Sequence, residues 1–130
     1  MRLLLDTHIV IRLTAQPERL SRRQRQAIER ETENGNHLAI SDISLLEIAA
    51  LTSPGSRLAL STRMIFEALD RPDLRIIPVT FEIAEDVGTL GKALRDPYDR
   101  AIVATARVHN LQLVTSDQAI IESNLVRTID

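Results

Sequence analysis

Short apolar runs separated by amphipathic stretches recur along this chain, and that alternation restricts it to an α/β arrangement built on a mostly parallel sheet. The runs predict strands over residues 2–6, 37–41, 75–79, 111–115 and 125–129, the last of them an edge. The amphipathic stretches predict helices over 8–15, 21–34, 44–52, 61–70, 81–94 and 98–109. Ser53-Pro54-Gly55-Ser56 and Arg71-Pro72-Asp73 interrupt the pattern as loops. With no repeat, low-complexity tract or linker in between, residues 1–130 read as one domain.

Composition removes several kinds of chemistry. The sequence has no cysteine, which excludes a disulfide framework, a thiolate nucleophile and a cysteine-based zinc site, and it suits a reducing cytoplasm. Asp6 cuts short the apolar run that follows Met1-Arg2, so no secretory signal is expected, and no stretch has the length of a membrane span. A net charge of -2 does not mark the whole chain as a polyanion binder. Fifteen of its sixteen cations are nevertheless arginine, with Lys92 the one lysine, and the densest group is Arg19, Arg22, Arg23 and Arg25. Guanidinium forks suit phosphate, yet Glu29, four residues after Arg25, lets the same segment read as a solvated helix face. Phe66, Phe81 and Tyr98 are the only aromatics, too few for extensive base stacking, so a nucleic acid would be held by its backbone.

Four acids far apart in sequence stand where elements begin or end: Asp6, Glu47, Asp99 and Asp117. In an open parallel sheet the carboxyl ends of the strands border the ligand crevice, so acids placed there are expected to meet. Such a cluster of hard oxygens calls for a divalent cation, with magnesium or manganese the usual solution. Each acid also has a local explanation. Asp6 can cap the helix that follows it, Glu47 has capping-box spacing from Ser44, and Asp96-Pro97-Tyr98-Asp99 is a helix start with Asp96 at the cap. Thr115-Ser116-Asp117 can be an ordinary turn in which Ser116 or Asp117 caps a helix from Gln118.

Jointly, Leu3-Leu4-Leu5-Asp6-Thr7-His8, Ser41-Asp42-Ile43-Ser44-Leu45-Leu46-Glu47-Ile48-Ala49, Asp96-Pro97-Tyr98-Asp99-Arg100 with its apolar sequel to Ala106, and Leu113-Val114-Thr115-Ser116-Asp117 resemble the PIN-domain nucleases, most closely the VapC-type toxins of toxin–antitoxin pairs. The resemblance spans nearly the whole chain and implies a three-layer α/β/α domain. It implies that Asp6, Glu47, Asp99 and Asp117 form the acidic pocket, with Asp6, Asp99 and Asp117 on the metal. Thr115 or Ser116 would lend a hydroxyl, and Asp96 would cap its helix or hold a metal-bound water. Leu46 stands where the subgroup often has tryptophan, and the segment before Asp96 lacks a histidine often seen there.

The implied reaction is hydrolysis of an RNA phosphodiester aided by Mg2+ or Mn2+, with Asp99 or Asp117 orienting or deprotonating the attacking water. Arg100 either clamps substrate phosphate or pairs with Asp96 or Asp99. His37 and His109 read as surface or packing residues, as does His8, although it lies two positions from Asp6. The same resemblance implies a VapB-like antitoxin that blocks the pocket, and a homodimer, with contact surfaces around residues 43–51 and 61–69. Two other classes compete. A phospho-receiver domain needs adjacent acids after its first strand and a lysine near its last, where this chain has Leu5 before Asp6 and only Lys92; a phosphatase of the haloacid-dehalogenase type needs an acid where His8 stands. A magnesium-binding regulatory domain with a silent site is the third reading.

Overall fold

Leu3, Leu4 and Leu5 are all buried, and as neighbours on a strand they point alternately to opposite faces of the sheet they open. In the computed structural model, which describes all 130 residues, this run is β1 (Leu3–Leu5). It is joined by β2 (Leu38–Ser41), β3 (Leu74–Ile77), β4 (Gln112–Val114) and β5 (Thr128–Ile129) in the order β3-β2-β1-β4-β5. Every pairing is parallel, with Leu5 opposite Ile40 on one side and Val114 on the other, so the mostly parallel sheet is wholly so.

Two cores follow from the period-two alternation. Leu3, Leu5, Leu38, Ile40, Leu74 and Val114 pack on one face with residues of α1 (Thr7–Ala15), α2 (Arg22–Glu33), α3 (Ile43–Thr52) and α4 (Thr62–Ala68). Leu4, Ala39, Ile77 and Leu113 pack on the other with α5 (Phe81–Thr89), α6 (Pro97–Val108) and α7 (Gln118–Ser123). This is the three-layer arrangement, and each fully buried leucine or isoleucine in it stabilises the fold by roughly 1.5–3 kcal/mol. No helix is long and apolar enough to cross a membrane.

Helix α5 ends at Thr89 rather than running to residue 94. Gly91 there takes a left-handed φ of 68°, and Arg100 of α6 reaches across to accept the role of a cap. Its guanidinium donates to the carbonyls of Val87, Gly91 and Leu94, each at 2.7 Å, satisfying groups that a longer helix would have bonded internally. A 3-10 turn at Pro17–Arg19, not evident from periodicity, reverses the chain between α1 and α2.

Strand order reverses between β1 and β4. Connections leave β1 toward β2 and β3 on one side and arrive at β4 and β5 on the other, which opens a crevice at the carboxyl ends of the two central strands. Asp6 follows β1 directly, and Thr115 follows β4.

Candidate active site

Asp6 is buried at the crevice floor as the N-cap of α1. Its Oδ1 accepts from the Thr7 amide at 2.8 Å and its Oδ2 accepts from Thr115 Oγ1 at 2.7 Å. Thr115 Oγ1 in turn accepts from the Asp117 amide at 3.0 Å, so one hydroxyl ties the first acid to the loop bearing the last. Asp117 caps α7 through Oδ1, which accepts from the Ile120 amide at 3.1 Å. Asp96 caps α6, its Oδ1 accepting from the amides of Tyr98 and Asp99 at 2.8 and 3.1 Å. Three helices thus aim their N-termini, the positive ends of their dipoles, at one opening.

Glu47 projects from the second turn of α3. The capping box expected with Ser44 does not form, because the helix starts earlier, at Ile43, with Asp42 as the cap residue. Asp42 is occupied elsewhere, its carboxylate accepting from the Val79 amide at 3.2 Å, and Ser44 Oγ accepts from Thr7 Oγ1 at 2.9 Å. Glu47 is therefore left facing the other acids.

Their proximity is written in their acidities. Asp99, half-buried, is pushed up to about 7 from 3.8 by burial first, then by the negative charges of Asp6, Asp117, Asp96 and Glu47. Glu47 is raised by burial and by Asp6 and Asp96, against the Thr7 hydroxyl and His8, which hold it down. That hydroxyl has a single proton, and its resolved partner is Ser44. Asp6 is raised chiefly by burial, and the bonds from Thr115 and Thr7 oppose the rise. None of the four ion pairs of the chain involves these acids, so the protein supplies no arginine or lysine to neutralise them.

The donor set is made of hard carboxylate oxygens, which suits Mg2+ or Mn2+. It is an open cup, however, and no three of its groups stand close enough to grip one ion as they are. The more developed surface hollows lie elsewhere, including one of about 370 Å³ bordered by Asp86, Arg107 and Leu125.

The accessory residues sort themselves. Thr115 provides the hydroxyl on Asp6, while Ser116 Oγ turns the other way, accepting from Arg12 at 3.0 Å and from Gln24 at 2.8 Å. Arg100 pairs with neither Asp96 nor Asp99; its carbonyl contacts brace the loop leading into α6. His8 is near enough to lower both Asp6 and Glu47, whereas His37 precedes β2 and His109 lies between α6 and β4, both at the amino ends of the strands. Thr7 and Gln24 escaped sequence reading. Thr7 lies beside Asp6 in the first motif and could have been suspected; Gln24 has capping-box spacing from Ser21, but nothing local marks its contacts with Thr115 and Ser116, 91 and 92 positions away.

Comparison with known proteins agrees with this geometry. The PIN-domain family profile matches residues 3–123. Ribonuclease VapC22 of Mycobacterium tuberculosis is 34% identical over 117 residues, covering 88% of this chain and 86% of that protein. Among solved structures, VapBC2 of Rickettsia felis bound to a promoter DNA fragment superposes with a TM-score of 0.73 at 21% identity, covering 98% of this chain and 97% of that one. A toxin–antitoxin complex from Klebsiella pneumoniae gives a TM-score of 0.60 at 27% identity, covering 95% and 94% of the two chains. A match over almost the full length, with an acidic cup where strand order reverses, makes this chain a member of the PIN-domain family, in its VapC group.

Proposed function

We propose that this chain is a Mg2+- or Mn2+-dependent endoribonuclease, a single PIN domain that acts as the toxin of a toxin–antitoxin pair in the cytoplasm. The observation that carries the reading is Asp99, a carboxyl raised to about 7 by burial and by four other acids, with no protein cation paired to any of them. RNA as substrate rests on the likeness to ribonuclease VapC22.

In this reading Asp6, Asp99 and Asp117 would hold the ion by closing on it from the open arrangement they have without it, and Glu47 would complete the negative cup. When bound, the cation neutralises phosphate charge and makes water a usable nucleophile near neutral pH. Thr115 keeps Asp6 and the Asp117 loop in register. Water adds to phosphorus as the bond to the leaving ribose oxygen breaks; Asp99 or Asp117 takes the water's proton, and the leaving oxygen gains one from solvent. Asp96 fixes the start of α6 and so the place of Asp99.

A VapB-like antitoxin is the expected partner, supported by the likeness to the Klebsiella toxin–antitoxin complex. A second copy of the chain is also expected, on α3 and α4, where Leu46 is 62% and Met64 70% exposed. Light scattering behind size-exclusion chromatography reads the dimer, and a monomer at micromolar concentration rejects it. For the activity, purified chain is incubated with total RNA in magnesium, manganese or chelator and the cut ends are mapped. Discrete cleavage that chelator stops is the expected result; intact RNA in both metals overturns the assignment.

A further inference from the structure

The arginine-rich segment 19–25 looks like an ordinary solvated helix face in sequence, but the fold ties it through Gln24 to the turn that carries Asp117. Gln24, fully buried in the first turn of α2, donates through Nε2 to Ser116 Oγ at 2.8 Å and to the Thr115 carbonyl at 3.4 Å, while its Oε1 accepts from the Ser21 amide. The first turn of α2 is thereby clamped to the β4–α7 turn, one residue from Asp117. Arg22 and Arg23 occupy the two positions before Gln24, both exposed. Arg12 reaches the same turn from α1, donating to Ser116 Oγ at 3.0 Å.

The state of each cation decides which can serve a ligand. Arg25 bonds to the Pro17 carbonyl, Arg19 to Gln16, and Arg23 to Asp130 at 2.9 Å. Arg22 forms none of the chain's ion pairs, and Arg12 spends one of its five N–H donors on Ser116. Arg12 therefore keeps free donors at the turn that carries Asp117, and Arg22 stands two positions before the residue that clamps α2 to that same turn.

We infer that Arg12 and Arg22 form a phosphate-binding rim that seats the backbone of the RNA beside the acidic cup. The inference rests on the proposed nuclease activity and adds to it the side from which the substrate enters. A cup of unpaired carboxylates repels a polyanion, and a chain of net charge -2 offers no overall attraction, so substrate must be held by local cations. Arginine is suited to this because its planar fork matches phosphate oxygens. With few aromatics to stack bases, backbone contacts supply most of the affinity, which makes binding steeply salt-dependent.

The test measures binding separately from cleavage. In an Asp99→Asn background with chelator present, where cleavage is expected to be negligible over the measurement, anisotropy of a short fluorescein-labelled single-stranded RNA is followed against salt for the parent, Arg12→Gln, Arg22→Ala, the pair, and Arg30→Ala. Arg30 is exposed on the last turn of α2, away from the cup, and serves as the charge-matched control. Arg12→Gln keeps a donor for Ser116, and thermal melts check that each variant folds. The pair is expected to weaken binding about tenfold and to flatten the salt slope by about 0.7 for each arginine lost, with Arg30→Ala near the parent. In the cleaving chain the pair raises KM with kcat little changed. Parent-like affinity and slope in the pair, or an equal loss in Arg30→Ala, overturns the inference; absence of cleavage by the unaltered chain fails the nuclease assignment instead.

Discussion

Thr115 donates a 2.7 Å hydrogen bond to Asp6 across 109 positions of sequence, and the same oxygen accepts from the backbone amide of Asp117. Removing that hydroxyl loosens two acids at once. Thr115→Val is expected to lower RNA cleavage by roughly 10–100-fold, the usual cost of losing a residue that orients a metal ligand, with weaker metal binding by titration calorimetry. Thr115→Ser restores both.

Asp6→Asn and Asp99→Asn keep side-chain size while removing charge. Each is expected to cut cleavage in magnesium by on the order of a hundredfold or more with an unchanged circular dichroism spectrum. Retained cleavage by both variants sinks the site assignment.

Without metal the cup strains the fold, and the sign is set by Asp99. Its carboxyl titrates near 7 folded and near 3.8 unfolded, so between those values the native state binds more protons and stability falls as pH rises. Above about 7 the penalty is complete; below 3.8 it is absent. In chelator, Asp99→Asn is therefore expected to melt a few degrees above the parent at pH 8, roughly 2–5 °C, and level with it at pH 4. Added magnesium reverses the order at pH 8, because the ion stabilises only the parent's complete cup.

Arg100 is expected to act on stability. Its three carbonyl contacts involve a charged donor, and Arg100→Ala should destabilise the chain by about 1.5–3 kcal/mol in urea unfolding. The salt dependence of RNA binding stays that of the parent. A flattened slope with unaltered stability makes Arg100 a phosphate clamp after all.

Much of this architecture is legible in the amino-acid order because strands buried on both faces are short, apolar and bounded by breakers. Leu3-Leu4-Leu5 and Leu113-Val114 are examples, and Asp6 and Asp117 mark the loops beyond them. What stays hidden depends on distant partners. Ser44 and Glu47 have capping-box spacing, but Asp42 begins the helix and Ser44 turns to Thr7; the capping box the chain does form is at Ser21 and Gln24. Thr115 and Ser116 are equivalent as adjacent hydroxyls until β4 sends one toward Asp6 and the other toward Arg12 and Gln24. The end of α5 at Thr89 is likewise determined from outside, by a guanidinium on the next helix.

Pairing of β1 with β4 joins the opening of the polypeptide to its final quarter. A nascent copy leaving the ribosome has the Thr7 amide for one oxygen of Asp6 from the start, but its other oxygen waits for the hydroxyl of Thr115. Order of synthesis alone thus postpones completion of the acidic cup until the last quarter of the chain has emerged.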